Sequence, residues 1–229
     1  MGDLATGDQI MGDGTLDIML GPMFSGKTTW LNGVLTELAD AGFRVLKINH
    51  AADLRLAASV SDPSGTTHHS GHVSLSPLVH YRRTVSLSEV RVDDYHVVGV
   101  DEAQFFTDLL TTVDRWIKAG KHVRVASLDG DSTMRPFGQI LSLIPLCDHV
   151  HKLHARCHYC LLELRRLNFR GNLMSIEAPF TLRVDESTEQ QVIGGADKYR
   201  PVCRYHHAHA PPPPCSSSSG SDSSSHPPL

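Results

Sequence analysis

The chain has 229 residues, 40% of them hydrophobic, and a formal net charge of -4, which is enough to bury the core of one α/β domain with a small appendage. The weakly acidic balance offers no basic field, which argues against nucleic acid as a partner. No run of about 18 apolar residues exists, and Met1 to Gly14 is acidic and Gly-rich where a secretory leader is basic and then apolar, so membrane insertion and secretion are both disfavoured.

Residues 1–14 read as a disordered leader, and from Leu16 onward strand-like and helix-like segments alternate as in a parallel α/β sheet. The apolar run Leu16 to Leu20 predicts a first strand. Directly after it, Gly21-Pro22-Met23-Phe24-Ser25-Gly26-Lys27-Thr28 is a complete G-x-x-x-x-G-K-T phosphate-binding loop. Successive backbone N–H groups in such a loop point into one concavity, the lysine reaches the β- and γ-phosphates, and the threonine hydroxyl ligates Mg²⁺. The ligand expected is a nucleoside triphosphate. Trp30, Leu31, Val34, Leu35 and Leu38 then recur at helical spacing from Lys27 to about Ala41, with Gly42 as the stop.

Val45 to Ile48 predicts a second strand. The segment from Ala51 to Pro77 has no periodicity and reads as a long mobile loop. Val97 to Val100 predicts a buried third strand. Leu109, Leu110, Val113, Trp116 and Ile117 share one face of a helix with Thr107 as N-cap and Gly120 as stop, and Val123 to Ala126 predicts a fourth strand. Gly138 to Ile144 is a further helix candidate, and Val150 to Leu153 a fifth strand. The tail, a run of histidines from His206 followed by Pro- and Ser-rich sequence, reads as disordered.

His96 to Glu102 is an apolar strand ending in two carboxylates, the form of the second nucleotide motif in phosphate-loop proteins. Asp101 is the candidate Mg²⁺ holder. Glu102 can orient water, giving an ATPase, or accept a proton from a substrate hydroxyl, giving a kinase. The apolar neighbours Met23, Phe24, Phe105 and Phe106 suit a flat heterocycle and exclude competing water, which favours the kinase.

Five cysteines make no disulfide framework and indicate a reducing, cytoplasmic compartment. Cys157-x-x-Cys160 and Cys203-x-x-His206 have the spacing of a structural zinc site built from two knuckles, with His207 and His209 as other candidates for the fourth ligand. Such a metal pins both ends of residues 160–203, making that stretch a lid. Cys147 reads as a core thiol and Cys215 as a free thiol.

Taken together, these motifs resemble the type II thymidine kinase family of cells and large DNA viruses. The collinear elements are Gly21 to Thr29, Asp53-Leu54-Arg55, Asp101-Glu102-Ala103-Gln104-Phe105-Phe106, Ser127 to Gly130, Pro136 to Gly138, the two zinc pairs, and Val192 to Tyr199. The resemblance implies a RecA-like phosphate-loop core over residues 15–155, a zinc-binding lid over 156–207 and a disordered tail over 208–229. It implies ATP and thymidine as substrates, Mg²⁺ and structural zinc as cofactors, and a homotetramer. Glu102 is then the general base for the 5′-hydroxyl. Residues 21–29, 53–55 and Asp101 to Gln104 bind ATP, with Arg55 on the phosphates and Thr28, Asp53 and Asp101 at Mg²⁺. The nucleoside is lined by Met23, Phe105, Leu128, Ser132 and Phe137 from the core, and by Thr181, Gln190, Gln191, Val192, Ile193, Gly194 and Tyr199 from the lid.

The chain departs from the family pattern at three places. Ser132 stands where an aromatic is usual, which points to weaker stacking or a broader nucleoside range. His206 replaces the usual fourth cysteine, and Leu161 to Ile176 reads as an inserted, exposed loop. The rival readings are a phosphate-loop ATPase with a zinc ribbon and an inactive binding module. Intact Lys27, Asp101 and Glu102 speak against the second.

Overall fold

The computed structural model describes residues 13–52, 75–168, 176–185 and 194–210. Six strands form one parallel sheet: β1 (Thr15–Leu20), β2 (Val45–His50), β3 (Val79–Thr84), β4 (Val97–Asp101), β5 (His122–Ser127) and β6 (His149–Lys152), in the order β3-β2-β4-β5-β1-β6. One strand, β5, therefore separates the strand that feeds the phosphate loop from the strand that carries Asp101.

Side chains alternate between the two faces of the sheet. On one face Leu16, Ile18, Leu46, Ile48, Val98, Val100, Val123 and Val125 pack with Phe106, Val113, Trp116, Ile140 and Leu143. On the other, Val45, Val97 and Ala126 meet Leu31, Leu35 and Ala39 of helix α1 (Lys27–Asp40). Gly99 lets that helix come close, since a Cβ there would lie 2.4 Å from Leu35 Cδ1. The helix that starts at the phosphate loop is thereby pressed onto β4.

Helix α2 (Leu109–Lys118) buries Leu109, Thr112, Val113 and Trp116. Its N-cap is Asp108 rather than the expected Thr107, and the Asp108 carboxylate caps nothing. It instead accepts from Ser86 Oγ (2.7 Å), Ser88 N (2.8 Å) and Leu87 N (3.2 Å), fastening the chain after β3. Burial pushes its pKa up, but these hydrogen bonds outweigh burial and hold it below the ordinary carboxylate value.

Strand β3 was not expected. It is an edge strand whose sequence, Val-His-Tyr-Arg-Arg-Thr, buries only its two ends, so it carries little of the apolar signal that marks an interior strand. The helix expected from Gly138 is a 3₁₀ helix over Ile140–Leu146, with Pro145 inside its last turn, where an α-helical N–H would be missing.

Beyond β6 the chain forms a small cysteine-bearing module. β7 (Ala155–Arg156) pairs with β8 (Glu177–Ala178), and β9 (Phe180–Arg183) with β10 (Tyr199–Val202), both antiparallel. Ala155, Cys157, Ala178 and Val202 make its core. Helix α3 (His158–Arg166) occupies the start of the segment expected to be an exposed loop. It buries no residue, and so gives no apolar stripe to read. Helix α4 (Arg204–His209) runs through the histidines expected to begin the tail. Among the described residues no helix is long and apolar enough to cross a membrane.

Candidate active site and metal centre

The loop after β1 enters α1 through Gly26, whose φ of 91° is open to glycine and strained for other residues. Lys27 follows at once, largely buried, and its Nζ donates to the Pro22 carbonyl at 2.7 Å. Thr28 Oγ1 donates to Asp101 Oδ1 at 3.1 Å, joining the loop to the end of β4. Asp101 is 2% exposed, and its other oxygen pairs with Lys47 Nζ at 3.0 Å. Lys47 in turn donates to Asn32 Oδ1 on α1 at 2.6 Å. A buried carboxylate needs this pairing, since an unpaired charge there costs several kcal/mol. Sequence reading passed over Lys47; its signal was a lone lysine inside an apolar strand, which requires an acidic partner.

Glu102 is 8% exposed and takes a left-handed backbone, φ 51° and ψ 43°. That conformation costs a non-glycine residue about 1–2 kcal/mol, and it turns the chain sharply just beyond the sheet edge. Glu102 Oε2 accepts from Gln104 Nε2 at 2.6 Å. Gln104 Oε1 takes Ser127 Oγ at 3.0 Å and the Leu128 amide at 3.1 Å. One buried amide therefore ties the carboxylate to the end of β5. Phe105 and Phe137 meet edge to face at 5.6 Å, and the His50 ring lies tilted by 38° against Phe105 at 5.5 Å. Gly138 lies so near the Gln104 carbonyl that a Cβ would stand 2.3 Å from it. Phe105 and Phe137 thus meet each other, and the Leu128 amide reaches the glutamine that holds the acid.

Residues from the small module reach the phosphate loop and the Ser132 turn. Thr181 Oγ1 accepts from the Met23 amide at 2.9 Å, a contact between residues 158 apart. His207 Nε2 lies 3.0 Å from the Ser132 carbonyl. Ser132 sits on a turn held by Asp131 Oδ1, which accepts from Thr133 N, Thr133 Oγ1 and Arg135 N. Tyr199 is buried within the module with Arg183 over its ring at 5.7 Å, and Gly194 lies against Lys198. A cavity of about 200 Å³ opens beside the loop, lined by Pro22, Asp131, Met134, Pro136, Phe180 and Thr181 among others. It shares Thr181 with the expected nucleoside residues, while Glu102, Phe105 and Phe137 do not line it. Asp53, Leu54, Arg55, Gln190, Gln191, Val192 and Ile193 lie outside the described residues.

Cys157, Cys160, Cys203 and His206 bring their ligand atoms within 4.8 Å of one another. His206 Nδ1 is 3.5, 3.4 and 3.3 Å from the sulfurs of Cys157, Cys160 and Cys203. These are close to the edges of a tetrahedron with metal–sulfur distances of about 2.3 Å, and the set can hold a metal ion. Burial and the neighbouring sulfurs push Cys160 up to about 12. Burial also opposes ionisation of Cys203, but hydrogen bonds from His206 outweigh it and hold the thiol down at about 7. The crowd of sulfurs suits a cation at its centre. His207 and His209 bond backbone carbonyls instead, so the fourth position of the cluster falls to His206. Its Nε2 lies 3.3 Å from Glu163 Oε1 on α3, a partner that sequence spacing did not suggest.

The thymidine kinase family model matches residues 14–207. The thymidine kinase of Myxoma virus (strain Uriarra) is 35% identical over 193 residues, covering 83% of this chain and 94% of that one. The cytosolic thymidine kinase of Homo sapiens is 38% identical over 191 residues, 83% of this chain and 72% of that one. The thymidine kinase of Vaccinia virus (strain Tian Tan) is 34% identical over 196 residues, 85% of this chain and 97% of that one.

Proposed function

The chain belongs to the thymidine kinase family, and from that premise we propose that it transfers the γ-phosphoryl group of ATP to the 5′-oxygen of thymidine. The observation that carries this reading is the position of Glu102: next to Asp101, which is bonded to the phosphate-loop threonine, and beside Phe105 and the Leu128 segment. On this reading the carboxylate has the donor loop on one side and apolar, ring-accommodating groups on the other.

Phosphoryl transfer passes through a loose, highly charged transition state, so catalysis rests on positioning and charge stabilisation. Lys27 and the loop amides hold the phosphates, with Arg55 alongside. Thr28 and Asp101, already joined, would hold Mg²⁺ together with Asp53, and the ion would supply charge neutralisation. Glu102 aligns the 5′-hydroxyl and accepts its proton late. Met23, Phe105, Leu128 and Phe137 are assigned to flank the base, Thr181, Gly194 and Tyr199 to its lid side, and the family resemblance adds Gln190, Gln191, Val192 and Ile193. Ala103 and Gln104 support the turn. The single strand between β1 and β4 supports the RecA-like reading of residues 15–155. The close thiol and imidazole set supports structural zinc and a lid over 156–207. We assign the protein to the cytoplasm as a homotetramer with no nucleic-acid partner.

Ser132 favours one refinement, a broader nucleoside range, because a serine side chain offers no ring to stack on a base. The test is a radiolabel transfer assay across thymidine, deoxyuridine, deoxycytidine and purine nucleosides. Thymidine is expected to be phosphorylated; ATP hydrolysis at the same rate with and without nucleoside would overturn the kinase in favour of an ATPase. Lys27→Ala is expected to lower kcat/KM for ATP about 10²- to 10³-fold with the apo melting temperature little changed, read by steady-state kinetics and calorimetry.

A further inference from the structure

Asn49 is an anomaly. It is 0% exposed, and among the described residues neither its carboxamide oxygen nor its nitrogen has a hydrogen-bond partner. A buried polar group left unmatched is costly, and a native structure that retains one calls for a reason. Its setting supplies one. Asn49 is the register partner of Asp101 on the neighbouring strand β4, so the two side chains leave the sheet on the same face. Lys47, two residues earlier and hence on that face too, pairs with Asp101 Oδ2, and Asp101 Oδ1 accepts from the phosphate-loop Thr28. All the polar groups around Asn49 that meet Asp101 are matched, while Asn49 keeps a donor and an acceptor in reserve. Asp101 is itself 2% exposed and Lys47 2%, so Asn49 shares the burial of the cluster around it.

We propose that Asn49 is a further positioning residue of the phosphate and metal site, and that its carboxamide bonds an oxygen ligand brought there by the nucleotide. That oxygen belongs either to a phosphate or to a metal-bound water. The proposal rests on reading the loop as a site for Mg²⁺ and ATP. It predicts opposite signs for stability and affinity, because the reserve that costs the free protein is used by the complex.

The experiment compares the full chain with Asn49→Leu, close in size and without polar atoms. Unliganded melting temperature is measured by calorimetry, and Kd by titration with ATP in EDTA, with Mg²⁺ and ATP together, and with Mg²⁺ alone. The variant is expected to melt about 2–4 °C higher and to bind Mg²⁺ with ATP about tenfold more weakly or worse. A loss of affinity that persists in EDTA identifies the phosphate oxygen; a loss seen only with Mg²⁺ identifies the metal-bound water. Unchanged Kd in every arm overturns the proposal, even with a raised melting temperature, since Asn49 is then a structural burden alone. If Asn49→Leu does not fold, Asn49→Ala is read for Kd in the same arms. Failure of the unsubstituted protein to bind Mg²⁺ with ATP overturns the functional reading itself, and is separately visible.

Discussion

Glu102→Gln lowers kcat about 10²-fold or more and leaves ATP affinity nearly unchanged. The substitution keeps shape and hydrogen bonding: Gln104 Nε2 donates to Glu102 Oε2 at 2.6 Å, and a carboxamide oxygen turned the same way accepts that bond. What is lost is a basic oxygen able to take the proton of the substrate alcohol. The donor side is untouched, because Lys27 and Thr28 belong to α1 and Asp101 keeps its bonds to Thr28 and Lys47. Single-turnover radiolabel transfer, set beside nucleotide titration, separates the two effects. If turnover hardly moves, Glu102 is not the base. Glu102→Asp is a useful companion, since it keeps the charge and withdraws it by one methylene.

The second large effect is expected from the metal. Cys157 is fully buried at the centre of the small module's core, among Ala155, Ala178 and Val202. Cys157→Ser is expected to abolish zinc retention and to loosen residues 155–210, because structural metal binding in so small a core is folding free energy. The loss then reaches the active site through two contacts, Thr181 to the Met23 amide and His207 to the Ser132 carbonyl. At about 1 kcal/mol for each hydrogen bond, thymidine affinity falls by about 30-fold, while ATP affinity, held by the core loop, falls much less. Zinc content by mass spectrometry, paired with separate titrations of the two substrates, checks this. Equal loss for both substrates, or none for thymidine, removes the lid assignment. His206→Cys restores an all-thiolate set and is expected to keep both metal and nucleoside affinity.

The features legible in the sequence are those written locally. The G-x-x-x-x-G-K-T loop between an apolar run and a helix, the strand ending in Asp101 and Glu102, and the two short metal pairs each occupy a few consecutive residues whose chemistry dictates their setting. Strand β3 was invisible because an edge strand needs no apolar face in its middle, and His80 to Arg83 are exposed or only partly buried. Asp108 displaced Thr107 as cap because its carboxylate serves the chain after β3, a demand made by tertiary structure. The links from Lys47 to Asp101, from Thr181 to Met23 and from His207 to Ser132 join residues far apart in the chain. No periodicity encodes them. The pairing of β2 with β4, and the packing of the cysteine module onto the loop and onto the Ser132 turn, create them.

The bond from the Met23 amide to Thr181 has a thermodynamic consequence. One backbone donor of the phosphate-binding loop is spent on the cysteine module, so neither can shift without the other feeling it. Linkage then requires reciprocity: by whatever factor a bound triphosphate alters the grip on nucleoside, the nucleoside alters the grip on triphosphate. On the proposed lid reading, the Met23 peptide unit is one route by which the two substrates would be coupled.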